Sequence, residues 1–179
     1  SRNFANKIWN ASRFVLMNFD ENIDFEKVNS EKFTMADKWI ISRINSLSKD
    51  VTENMEKFEL GIALQKIYEF IWDEFCDWYI ELVKPRLYDK ESDSRLEAQY
   101  VLNYVLGASM KLLHPYMPFI TEEIYSHLIN EDESIMISKW PLYEEKYNYQ
   151  EEEKKMDLIM NIIKSIRNIR AEMNVPPSK

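Results

Sequence analysis

Gly61 and Gly107 are the entire glycine complement of this 179-residue chain, where average usage of about 7% would give roughly a dozen. Glycine enters φ > 0 without steric penalty. Tight β-hairpins draw on it, as do the G-x-G-x-x-G and G-x-x-x-x-G-K-[ST] loops that cradle nucleotide phosphates. Neither loop can be written with the two glycines so far apart. The chain is thereby confined to architectures that turn with little glycine, helices above all. With 45% hydrophobic, 13% aromatic and 30% charged residues, it can bury a core rather than stay disordered. Its length fits one domain.

A single cysteine, Cys76, excludes an internal disulfide and a multi-cysteine zinc site, and fits a reducing compartment, so a cytoplasmic location is expected. No apolar run approaches the roughly 20 residues of a bilayer span, and no signal peptide opens the chain; no membrane partner is expected. Residue 1 is Ser, and a helical pattern is already under way at Arg2, so a piece excised from a larger protein is expected. The net charge of −8 argues against a general nucleic-acid binder. Residues 1–19 nevertheless hold Arg2, Lys7 and Arg13 and no acid.

Apolar spacing is helical almost throughout. In the first segment Phe4, Ile8, Ala11, Val15 and Phe19 share an arc that broadens to Trp9 and Leu16. The opposite arc holds Arg2, Asn3, Asn6, Lys7, Asn10, Arg13, Phe14 and Met17. After a loop over 21–33, Thr34 with Asp37 suggests a capping box for a second helix with Ile40, Ile44, Leu47, Val51, Met55 and Phe58 on one stripe. The third, from about Leu60, turns Leu64, Ile67, Ile71, Phe75, Trp78 and Leu82 inward, carries Tyr68, Trp72 and Tyr79 on the flanks of that stripe, so that it is expected to be enclosed on several sides, and is limited by Pro85. Ser92 or Ser94 can cap a fourth, which runs to about Leu113 with Gly107-Ala108 permitting close backbone approach and His114-Pro115 ending it. Pro118 opens a fifth, with Glu122 and Glu123 complementing its dipole, and it fades by Asn130. Residues 131–149 read as an acidic irregular stretch, briefly extended at 135–137. The last helix, 150–174, faces Met156, Ile159, Ile162, Ile163, Ile166, Ile169 and Met173 inward and stops at Val175-Pro176-Pro177. The expected fold is all-α: an antiparallel bundle of five to six helices in one domain, 1–179, with its core in 1–130.

Candidate chemistry is sparse. Glu69, Asp73, Glu74, Asp77 and Glu81 invite a carboxylate metal site, but neither His114 nor His127 follows a Glu at three residues, the spacing such bundles use; a solvated or salt-bridged face is the preferred reading. His114 could serve as a general base, but with no Ser, Cys or Asp partner suggested by spacing it reads as a helix-terminating or hydrogen-bonded structural residue. Cys76, between acids that raise a thiol's pKa, reads as packing, as does the aromatic stripe of 69–79. Arg167 and Arg170 lie within the last helix's apolar arc, where ion pairs are the default and a phosphate or domain contact the alternative. No catalytic, metal or cofactor site is expected. The first helix's wet arc admits two readings: an RNA-contacting face of cations, amides and one ring, or an ordinary polar face with Phe14 covered.

The strings from Arg2 to Ala11 and Arg13 to Asn18, then Ala36 to Asn45, Ile67 to Leu82, His114 to Tyr125, Trp140-Pro141 and Ile166 to Arg170, together resemble the anticodon-binding helical domain of bacterial valyl-tRNA synthetases. The His114-Pro115 stretch is shared by synthetases for several aliphatic amino acids, so an isoleucyl or leucyl enzyme's domain is an alternative; the Asn6-Lys7 opening and the run from Glu74 to Leu82 point to valine. A helical protein-interaction module without an RNA role is the alternative from another class. The resemblance implies a module that docks the anticodon stem-loop of valine tRNA. An upstream domain of the same polypeptide, with HIGH and KMSKS signatures that do not occur here, would use ATP to attach valine, in an enzyme expected to be monomeric. It further implies that Arg2, Lys7 and Arg13 contact phosphates or bases, that Asn3, Asn6 and Asn10 read base edges or hold neighbouring side chains, and that Phe14 stacks.

Overall fold

The computed structural model describes residues 2–176. Seven α-helices run in the order α1 (Arg2–Met17), α2 (Met35–Glu56), α3 (Leu60–Glu69), α4 (Ile80–Tyr88), α5 (Arg95–Leu113), α6 (Pro118–His127) and α7 (Gln150–Glu172). A π-helical segment, Phe70–Tyr79, joins α3 to α4 end to end, so the bundle consists of six rods. No β-strand occurs among the described residues. No helix among them is long and apolar enough to cross a membrane.

Helix α2 is the central rod, packed against α3, the π segment, α5 and α7. Its start is the expected capping box. The Thr34 hydroxyl accepts from the Asp37 N–H at 3.2 Å, and Asp37 Oδ2 accepts from the Thr34 N–H at 3.0 Å. Asp37 Oδ1 then accepts from the Tyr79 hydroxyl at 2.7 Å and from Arg86 Nη1 at 2.8 Å. One buried carboxylate thus ties the start of α2 to the π segment and α4. Burial, with that carboxylate alongside, holds the Tyr79 hydroxyl well above the ordinary phenol range and so protonated as the donor.

Tyr79 reaches Asp37 because the helix widens. The Ile80 N–H bonds the Phe75 carbonyl, five residues back, and the inward face shifts by one residue as a result. Plain α-helical spacing predicts Trp78 and Leu82 inside, whereas Tyr79 and Val83 are buried, Trp78 is half-buried and Leu82 is exposed. Pro85 does not end this rod. It removes only the N–H that would bond the Glu81 carbonyl, while Val83 and Leu87 stay buried and Arg86 holds Asp37. Ser94 occupies the N-cap of α5 without a capping bond, because its hydroxyl accepts from Arg86 Nε at 2.9 Å.

Neither glycine has positive φ; the two left-handed positions belong to Phe58 (φ 60°) and Asn174 (φ 52°). Both close a helix by the same two bonds. At the end of α2, Phe58 N–H bonds Met55 O and Glu59 N–H bonds Asn54 O; at the end of α7, Asn174 N–H bonds Ala171 O and Val175 N–H bonds Arg170 O. This is the Schellman geometry, usually built on glycine. It terminates α7 ahead of the prolines, of which Pro177 lies outside the described residues. Nor does Gly107 serve a close backbone approach: a Cβ there would meet only Leu128 Cδ1, at 3.8 Å.

Three further expectations change. Residues 135–137 form a 3-10 turn rather than an extended piece, because the Ser134 hydroxyl accepts from the Met136 N–H and tightens the chain. Glu122 and Glu123 lie beyond the first turn of α6, and Glu122 instead accepts from the Ser134 hydroxyl at 2.9 Å. In α7 only Met156 and Met160 are buried, while Ile159, Ile162, Ile166, Ile169 and Met173 are exposed. The irregular stretch is fastened to α2 through paired Asn45–Glu144 bonds and the Trp140 indole, which donates to Thr52.

Candidate nucleic-acid interface

Helix α1 seats Phe4, Ile8, Ser12 and Val15 on the bundle, with the Ser12 hydroxyl turned back onto the Ile8 carbonyl. Its far end is pinned to α5, where Arg95 pairs with Asp20 at 3.0 Å and Gln99 donates to the Asn18 carbonyl at 2.7 Å. The Arg95 hydrogen bond holds the Asp20 carboxyl below its usual range. The helix therefore presents its outer face from a fixed seat.

On that face Arg2, Asn3, Asn6, Asn10, Arg13 and Met17 are all exposed. Spacing puts Trp9 in the core arc, but the structure leaves it 41% exposed. It lies one turn before Arg13, so the two share a side of the helix. An indole edging a polar arc looks like core in a sequence, and only the packing of neighbouring elements decides.

Lys7 and Phe14 sit on the other edge, against the π segment and α4. The Lys7 ammonium is 2.6 Å from Asp77 Oδ1 and 3.9 Å from the centroid of Trp72. Phe14 is half-buried, with Lys84 Nζ 5.6 Å from its ring centroid. Lys84 in turn is bonded to Glu81, which raises the lysine's pKa. These two cations are already compensated. Arg2 and Arg13 have no ion-pair partner among the described residues.

The face thus combines two uncompensated guanidinium groups, three amides and two aromatic edges. Guanidinium forks match phosphate oxygens, amides both donate and accept, and rings offer stacking surface. That is the chemistry of contact with an unpaired nucleic-acid loop.

Elsewhere the charged groups hold the bundle together. Of the acidic row, Glu74 pairs with Arg43 at 3.0 Å, Asp77 with Lys7 and Glu81 with Lys84. Burial nevertheless raises the Glu74 carboxyl. Chiefly burial, rather than the acidic neighbours, pushes the Cys76 thiol up to about 12, leaving it protonated at neutral pH. His114 Nδ1 lies 2.8 Å from Thr121 Oγ1, bridging the α5–α6 turn. The guanidinium of Arg167 lies over the Trp78 ring at 5.4 Å, and Arg170 donates to the Pro176 carbonyl.

A family model described as the anticodon-binding domain of tRNA ligase matches residues 37–179. Over its whole length the chain is 59% identical to the valine–tRNA ligases of Clostridium perfringens and Clostridium acetobutylicum, and 52% identical to that of Clostridium tetani. It spans 20% of the length of each relative. Helix α1 precedes the residues that the family model matches but lies within the stretch shared with these ligases.

Proposed function

The chain belongs to the family of anticodon-binding domains of tRNA ligases, and we propose on that premise that it is the tRNA-recognition module of a valine–tRNA ligase, with α1 meeting the anticodon stem-loop. The observation that carries the reading is the exposed face of α1, where Arg2 and Arg13 have no ion-pair partner among the described residues, in a chain of net charge −8. The names of the relatives support valine over isoleucine or leucine.

In this reading the 179 residues act as one domain. Arg2 and Arg13 contact phosphates or bases, Asn3, Asn6 and Asn10 meet base edges, and Phe14 stacks with Lys84 behind it. Lys7 reaches RNA only by releasing Asp77, so its first role is to hold α1 against the π segment. ATP-dependent activation and transfer of valine belong to the rest of the polypeptide, working as a monomer in the cytoplasm.

Few cations take part, so binding by this chain alone is weak and loses affinity with salt at a slope of about −0.7 for each phosphate contacted on single-stranded RNA. Equilibrium binding of the chain to valine tRNA, with the natural anticodon and with a replaced one at equal salt, tests the proposal. Tighter binding of the natural anticodon supports it. Equal binding of both removes anticodon readout, and no salt-dependent protection of the loop in footprinting favours a protein-interaction module.

A further inference from the structure

Helix α7 carries two apolar faces. At about 100° per residue, Met156 and Met160 lie together on the side that rests on α2, where Glu153 also accepts from the Ser42 hydroxyl at 2.7 Å. Ile159, Ile162, Ile166, Ile169 and Met173 lie on a side rotated away by roughly 120° and are between 38% and 69% exposed. They recur at alternating steps of three and four residues, the heptad seam of a helix that packs lengthwise against another helix. A helix apolar on two sides is built to lie between two bodies.

We infer that this seam docks an amphipathic helix from another part of the same polypeptide. The valine–tRNA ligases that share this domain devote four fifths of their length to other segments, so such a helix has ample sequence to come from. Tethering favours that source. A stable interface between separate molecules buries about 800 Å² on each side, and five half-exposed side chains fall short of that. An intramolecular contact is formed at an effective concentration near millimolar, so a narrower seam suffices.

Amide hydrogen exchange over residues 162–173, compared between this chain and the full-length ligase carrying it, tests the inference independently of any tRNA. At least tenfold slower exchange in the full-length protein is expected. The double variant Ile166→Asp, Ile169→Asp should abolish that protection while leaving the melting temperature of the 179-residue chain unchanged. Equal exchange in both proteins overturns the inference. So does a concentration-dependent dimer of the short chain that protects the seam, or a lowered melting temperature of the short variant, which would make the seam part of its own core.

Discussion

Asp37 takes two donors from neighbouring rods while completing the cap of α2. Removing one partner of a buried ion pair costs about 3–5 kcal/mol, whereas losing a cap hydroxyl costs about 1 kcal/mol. In urea unfolding, Asp37→Ala should therefore destabilise the chain several-fold more, in free energy, than Thr34→Ala. Equal losses would mean that Asp37 acts only as a cap. Part of this was legible beforehand, since Thr34 and Asp37 have capping-box spacing. The Tyr79 and Arg86 contacts were not, because they depend on a register shift that no residue type announces. Trp9 illustrates the same limit at the interface: spacing places it in the core arc, yet it is 41% exposed. Arg2, Asn3, Asn6, Asn10 and Arg13 were legible as the outer face because 3.6-residue periodicity sorts them unambiguously from Phe4, Ile8 and Val15.

At the scale of elements, the near-absence of glycine has a cost that can be located. Phe58 occupies a left-handed position with its ring 89% exposed, so the side chain gains little from packing and bears the steric penalty of roughly 1–2 kcal/mol. Phe58→Gly should raise the melting temperature by about 2–4 °C, the shift expected of roughly 1 kcal/mol in a chain of this size, while Phe58→Ala should not. An unchanged or lower value for the glycine variant would show that the ring contributes more than its exposure indicates. Helix positions could be read from apolar spacing, but ends and registers could not. Pro85 lies inside α4 because burial of Val83 and Leu87 outweighs one missing bond. The inward placement of Ile159, Ile162, Ile166 and Ile169 in α7 failed, while Ile163 is half-buried, because periodicity reports that a face is apolar, not which body covers it.

For the whole molecule, the decisive contrast is between an acidic bundle and a helix face on which Arg2 and Arg13 have no ion-pair partner among the described residues. Most cations elsewhere are held by carboxylates or rings, so, on the proposed reading, the body repels a polyanion and α1 is where one is met. Such a domain contributes selectivity rather than bulk affinity, as suits a module covering a fifth of its relatives' length. The proposed role of α1 is to serve tRNA recognition without serving valine activation. In the full-length ligase, Arg13→Ala and Phe14→Ala should each lower kcat/KM for tRNA charging by roughly 5- to 150-fold, the equivalent of the roughly 1–3 kcal/mol carried by one charged hydrogen-bonding contact or one stacked base. Valine-dependent ATP–pyrophosphate exchange should stay within twofold of the unsubstituted enzyme. A parallel fall of both activities, or no fall in charging, would contradict it.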